Sequence, residues 1–95
     1  MKKIKMHLIV GKFAENKDVA KEIRINEIFP ALEAEKNVTL DFEGVDSATQ
    51  SFIHALISDV IRKKGINALD HIYFKNCNPT LQKIISIVTD YMQDE

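Results

Sequence analysis

Along positions 3–10 apolar and polar residues alternate. Ile4, Met6, Leu8 and Val10 fall on one side, Lys5, His7 and Ile9 on the other, and Gly11 closes the run. Period two over this length predicts a half-buried strand. The period then lengthens. Ile25, Ile28, Phe29 and Leu32 recur at i, i+3, i+4 and i+7 and predict a helix over 18–35. Pro30 lies inside it. Proline lacks the N–H for an intrahelical bond and its ring collides with the preceding turn, so a kink or break is expected at 26–29. Positions 37–42 return to period two, with Val38, Leu40 and Phe42 on one face. After a loop containing Gly44, the residues Phe52, Ile53, Leu56, Ile57, Val60 and Ile61 form one broad apolar stripe. That helix ends at Gly65 behind Arg62, Lys63 and Lys64, a basic last turn of the kind the helix dipole favours. A third strand is expected at 71–75, with Ile72 and Phe74 inward. A last helix is expected at 78–92, with Asn78 as cap, Pro79 in its first turn and Leu81, Ile84, Ile85, Val88, Tyr91 and Met92 as core stripe.

The other faces of the three strands carry Lys5, His7, Thr39, Asp41, His71, Tyr73 and Lys75. Strands covered by helices on both faces read as continuous apolar runs, and these do not. The expected fold is therefore α/β, a two-layer sandwich in the order βαβαβα. Its helices lie mainly on one face of a small mixed or parallel sheet, and the other face is wet or meets a partner. With 95 residues the chain, 1–95, is expected to be a single domain.

Charge narrows the function classes. A formal net charge of −1 is a poor match to nucleic-acid binding, where lysine and arginine contacts to phosphate supply most of the affinity. No stretch approaches the roughly 18 consecutive apolar residues of a membrane span. No signal peptide is recognisable ahead of the first strand, and the single cysteine, Cys77, has no internal partner, so a cytoplasmic protein is expected.

The chemistry-bearing residues concentrate in Ser47-Ala48-Thr49-Gln50-Ser51 and the helix that follows. Ser47 and Gln50 fit a capping box, with Thr49 as the alternative cap. Ser51 falls opposite the apolar stripe, on a polar face with His54, Ser58 and Arg62. A first-turn serine there sits where backbone N–H groups favour negative charge, so a phosphate on it would be accommodated locally. Ser51 and His54 share a side, but the segment lacks the small-residue elbow and oxyanion donors of a hydrolase, and no catalytic residue is assigned. His7, His54, His71 and Cys77 do not fall at metal-ligand spacing, and neither Gly11-Lys12 nor Lys64-Gly65 has the pattern of a phosphate loop. No metal and no cofactor are expected, and the chain is read as a non-enzyme.

The segment VTLDFEGVDSATQSFIHALIS resembles the central motif of the STAS-like domain family of unknown function, small bacterial and phage-associated relatives of the STAS domains of anti-sigma-factor antagonists. IRINEIFPAL, proline included, is similar to the family's first helix, and NCNPTLQKII to the segment entering its last helix. The resemblance covers nearly the whole chain and implies the α/β STAS sandwich. In anti-sigma-factor antagonists the loop entering this helix carries Asp-Ser-Ser-Gly, and its second serine is phosphorylated by a kinase that also sequesters a sigma factor. That serine falls on Ser51. Thr49, Gln50 and Phe52 stand where the loop has aspartate, serine and glycine, so the resemblance marks Ser51 as a partner contact and leaves its phosphorylation open. The implied role is a regulatory, non-enzymatic module in signal transduction. Ser47, Thr49, Gln50, Ser51, His54 and Ser58 would form its surface for a protein partner, a kinase-like ATPase. The alternatives are a small-ligand or nucleotide-binding domain, since some STAS relatives bind nucleotides, or a homo-oligomeric assembly domain built on the sheet face or the edge of the first strand.

Overall fold

The computed structural model of the chain describes residues 2–93. It begins with a strand, β1 (Lys2–Lys5), and a single helical turn, α1 (Met6–Val10). A two-residue strand β2 (Phe13–Ala14) leads into α2 (Lys17–Ile23), a π-helical turn (Arg24–Ile28) and α3 (Phe29–Glu33). Then come β3 (Val38–Asp41), the two-residue β4 (Ser47–Ala48), α4 (Gln50–Lys64), a 3-10 turn (Ile66–His71), β5 (Ile72–Lys75) and α5 (Pro79–Gln93). Strands β1, β3 and β5 form a parallel sheet in that order, with Ile4, Leu40 and Phe74 in register, and β2 and β4 form a second, two-stranded parallel ladder. The molecule is thus mixed α/β with small parallel sheets.

Alternate strand residues Ile4, Val38, Leu40 and Ile72 join Ile23, Ile28, Phe52, Leu56, Leu81 and Val88 of the helices in one hydrophobic cluster. Phe42, just past β3, is fully buried and stacks on Phe74 with ring centroids 6.4 Å apart. Helix α4 is the most enclosed helix, packed between α2 and α5. Its stripe is as expected, and its end is too: Gly65, at φ 86°, returns its N–H to Ile61 O at 2.7 Å.

Four expectations are corrected. The first strand stops at Lys5 rather than Val10. Its partner β3 ends at Asp41, so residues beyond Lys5 have no ladder, and they satisfy their backbone within a helical turn closed by Gly11 N–H on His7 O. Met6 is buried, but Leu8 is 79% exposed. Second, the Pro30 disturbance is a π turn. The Phe29 N–H bonds to Arg24 O, five residues back, which widens the helix where Pro30 has no N–H to give and would collide. The wide turn shifts the phase, so Ile25 faces out while Ile23, Arg24 and Ile28 face in. Third, Tyr91 lies outside the core, 60% exposed. Fourth, the outer sheet face is wet only at its margins. Thr39 and Asp41 on the central strand are buried, flanked in register by Lys3 and Tyr73 and by Lys5 and Lys75.

Candidate functional site

The loop before α4 is held by its neighbour strand. Lys12 O accepts from Asp46 N at 2.7 Å and from Ser47 N at 3.3 Å, and Ala14 O accepts from Thr49 N at 2.9 Å. Ser47 is therefore a ladder residue opposite Phe13, half-buried, and not a helix cap. Thr49 is the cap: its backbone is extended (φ −83°, ψ 155°) and its Oγ1 accepts from Phe52 N at 3.0 Å. The capping box of Ser47 and Gln50 does not form, because the β2–β4 ladder claims Ser47 and puts the helix start two residues later. Gln50 and Ser51 become exposed first-turn residues of α4.

His54 stands one turn on, half-buried. The structure brings Gln50, Ser51, His54 and Ala55 together with Lys17 of α2 and Ile87, Val88 and Tyr91 of α5 around a groove of about 490 Å³. Ile87 and Tyr91 are 42% and 60% exposed. They sit four residues apart on the shoulder of the α5 stripe, so they border the core without entering it. Ser58 is a correction. It is 4% exposed and plays no part in this surface, although it lies on the side of α4 opposite the core stripe. The wheel treats that side as open to solvent, and in the structure α2 and α5 flank α4, with Arg24 of the π turn packed onto it. The Arg24 guanidinium donates to Ala55 O at 2.7 Å and pairs with Asp59 at 3.1 Å, while its Nε is buried without a partner. Arg62 remains exposed.

Lys17, Ala55 and Ile87 are groove residues that the linear reading missed, and Val88 and Tyr91 it assigned to the core alone. The off-stripe position of Ile87 was the available signal, since a large apolar residue off the core face of its helix asks for another neighbour.

A second polar cluster closes the C-terminal ends of β3 and β5. Asp41 Oδ1 accepts from Glu43 N at 3.0 Å and from Asn76 Nδ2 at 2.9 Å, and Oδ2 pairs with Lys3 at 3.5 Å. The Asn76 bond first, then the Glu43 N–H, hold the Asp41 carboxyl below its ordinary value of 3.8. Nearby, Asn78 caps α5 as expected, its Oδ1 accepting from Leu81 N at 2.8 Å, and its amide also donates to Asp46 O at 2.8 Å. Burial, and then the Asp41 charge, push the Cys77 thiol up. His7 and His71, both expected on the outer face of the strands, belong to opposite ends of the sheet. His7 follows β1 and packs under Gly44, whereas His71 precedes β5 and bonds Asn37 Oδ1 at 2.9 Å.

The family profile of the STAS-like domain of unknown function matches residues 19–82, from α2 into the first turn of α5. The chain belongs to this family. The matched span contains the loop, all of α4 and the Asp41–Asn76 cluster, while Lys17 and the Ile87–Tyr91 shoulder lie outside it. Comparison with curated proteins and with solved structures finds no match. No helix among the described residues is long and apolar enough to cross a membrane.

Proposed function

We propose that the chain is a non-enzymatic regulatory module of the cytoplasm that docks a protein partner through the N-terminal half of α4 and the groove beside it, in the manner of anti-sigma-factor antagonists. One observation carries this reading. Ser51, which the resemblance aligns with the phosphorylated serine of those antagonists, is exposed at the rim of a groove whose opposite wall is exposed Ile87 and Tyr91. An apolar wall beside polar, hydrogen-bonding residues is the composition of a protein-docking surface. Gln50, Ser51 and His54 supply the polar contacts and Tyr91 the aromatic anchor. The partner implied is a kinase-like ATPase, and a phosphate on Ser51 would add charge and bulk at the rim.

The test is affinity capture from host lysate with quantitative mass spectrometry, comparing wild type with Ser51→Glu, Tyr91→Ala and, as a distant control, Asn67→Ala. The expected result is one protein retained by wild type and the control and lost by the other two. Equal retention by all four would remove the groove from the interface.

A small anionic ligand is the second reading, favoured by the groove volume, which lies within the roughly 300–1,000 Å³ of ligand pockets, and by Lys17 and His54 on its walls. Calorimetry with ATP, GTP and phosphate separates it: heat that His54→Ala abolishes would support it, and no heat at millimolar ligand would remove it.

A further inference from the structure

Among the described residues strand β1 has a partner on one side only, since the sheet order is β1-β3-β5. Lys2 N–H donates to Asn37 O at 2.9 Å, so Lys2 and Ile4 direct their backbone groups toward β3. In a parallel ladder the orientation alternates, so the N–H and C=O of Lys3 and the N–H of Lys5 point away from the sheet, along its outer edge. That edge opens onto a concavity of about 460 Å³ lined by β1, Glu27, Leu8 and Ile9. Leu8 and Ile9 are 79% and 48% exposed, an apolar shelf at the end of the strand.

We infer that the β1 edge receives an extended acidic peptide segment of a protein partner, which adds as a fourth strand. Charge selects the occupant. Pairing β1 with β1 of a second copy would set Lys3 and Lys5 against their own counterparts, and like charges directly opposite oppose pairing. The same lysines favour a strand with aspartate or glutamate at every second position. The alternate residues of that strand then face the apolar side, over Ile4 and the Leu8–Ile9 shelf. Outward N–H and C=O groups together distinguish this surface from a plain cationic patch, because another backbone satisfies both, whereas a nucleic-acid phosphate accepts from the N–H groups and leaves the C=O without a donor. Lys5 is the better probe of the two lysines, since Lys3 also pairs with Asp41.

The experiment is a backbone NMR titration of the full chain with a blocked nine-residue peptide of alternating glutamate and valine. Comparison ligands are its lysine–valine counterpart, the acidic peptide N-methylated at alternate residues in either register, and a ten-nucleotide oligouridylate. The acidic peptide is expected to shift the amides of Lys3, Lys5 and Leu8 and to slow hydrogen exchange at Lys3 and Lys5. Affinity should fall at least tenfold with the lysine peptide, with one N-methylated register and with Lys5→Glu. Four results would overturn the inference: shifts centred on another surface, N-methylated peptides that all bind as well as the parent, tighter binding of the oligouridylate, or a dimer whose Lys3 and Lys5 amides are already protected without peptide. None of these outcomes depends on the α4 groove, so this surface and that one fail separately.

Discussion

Asn76 carries more than its exposure suggests. It adopts φ 58°, a left-handed conformation that asparagine tolerates better than other non-glycine residues, and from there its amide reaches Asp41. Two effects are separable. Asn76→Gly keeps the backbone and loses the bond, for an expected loss of about 1 kcal/mol. Asn76→Ala loses both, for about 2–3 kcal/mol in urea denaturation. Asp41 makes the acid side of stability sensitive to the same contact. Its carboxyl is depressed in the folded chain, so its contribution is full above the ordinary carboxylate value and disappears as pH falls through the lower folded value. Asn76→Ala should raise the Asp41 titration midpoint in carboxyl-detected NMR and flatten the acid limb of the stability profile. An unchanged midpoint would mean that Asn76 does not hold the carboxylate. Gly44 is constrained differently: at φ 88°, a Cβ there would stand 3.0 Å from the His7 ring, so α1 rests on the absence of a side chain.

Among the elements, the start of α4 and the clamp on its middle are both decided by neighbours. Because Thr49 is the cap, Thr49→Ala should cost about 1 kcal/mol in thermal or urea unfolding, while Gln50→Ala should change stability by less than about 0.5 kcal/mol. Equal costs would restore the capping box. The π turn aims Arg24 at α4, where the guanidinium is held by Ala55 O and Asp59. Asp59→Ala leaves a buried cation with one partner fewer. A loss of about 2 kcal/mol is expected, below that of a fully buried pair because Asp59 is itself about a third exposed (35%). Adding Arg24→Met should cost less in that background than it does alone, which a double-mutant cycle reads directly.

At the scale of the whole molecule, the groove and the β1 edge are two surfaces built from opposite materials. The groove is walled by α5 and α4 side chains, whereas the edge is backbone framed by lysines. Ile87 and Tyr91 do not support the core, so Ile87→Ala and Tyr91→Ala should each leave stability within about 0.5 kcal/mol of wild type while removing partner capture. Large destabilisation would instead make them structural. Binding at the lysine edge should weaken steeply with added salt and binding at the groove much less, because the first depends on exposed charges and the second on apolar contact.

Local periodicity was enough for the elements whose environment is uniform along their length. The stripe from Phe52 to Ile61 and the strand cores Leu40 and Ile72 follow from the 3.6- and 2-residue repeats alone, because each such face meets the same interior, and the cap at Asn78 follows from its residue type ahead of Pro79. Ser51 and His54 were placed on an open face for the same reason. The departures lie where one element ends against another. β1 is cut short by the length of β3, Ser47 is taken by a two-residue ladder with Phe13, and Ser58 is buried on a side of α4 that the repeat leaves open. Pro30 announces a disturbance in the sequence. That the disturbance is a π turn, with Arg24 inward against α4 and Ile25 out, is visible only in the folded chain. A repeat reports which side of a segment is apolar, but what the other side touches depends on contacts between residues far apart in the chain, and these exist only in the folded molecule.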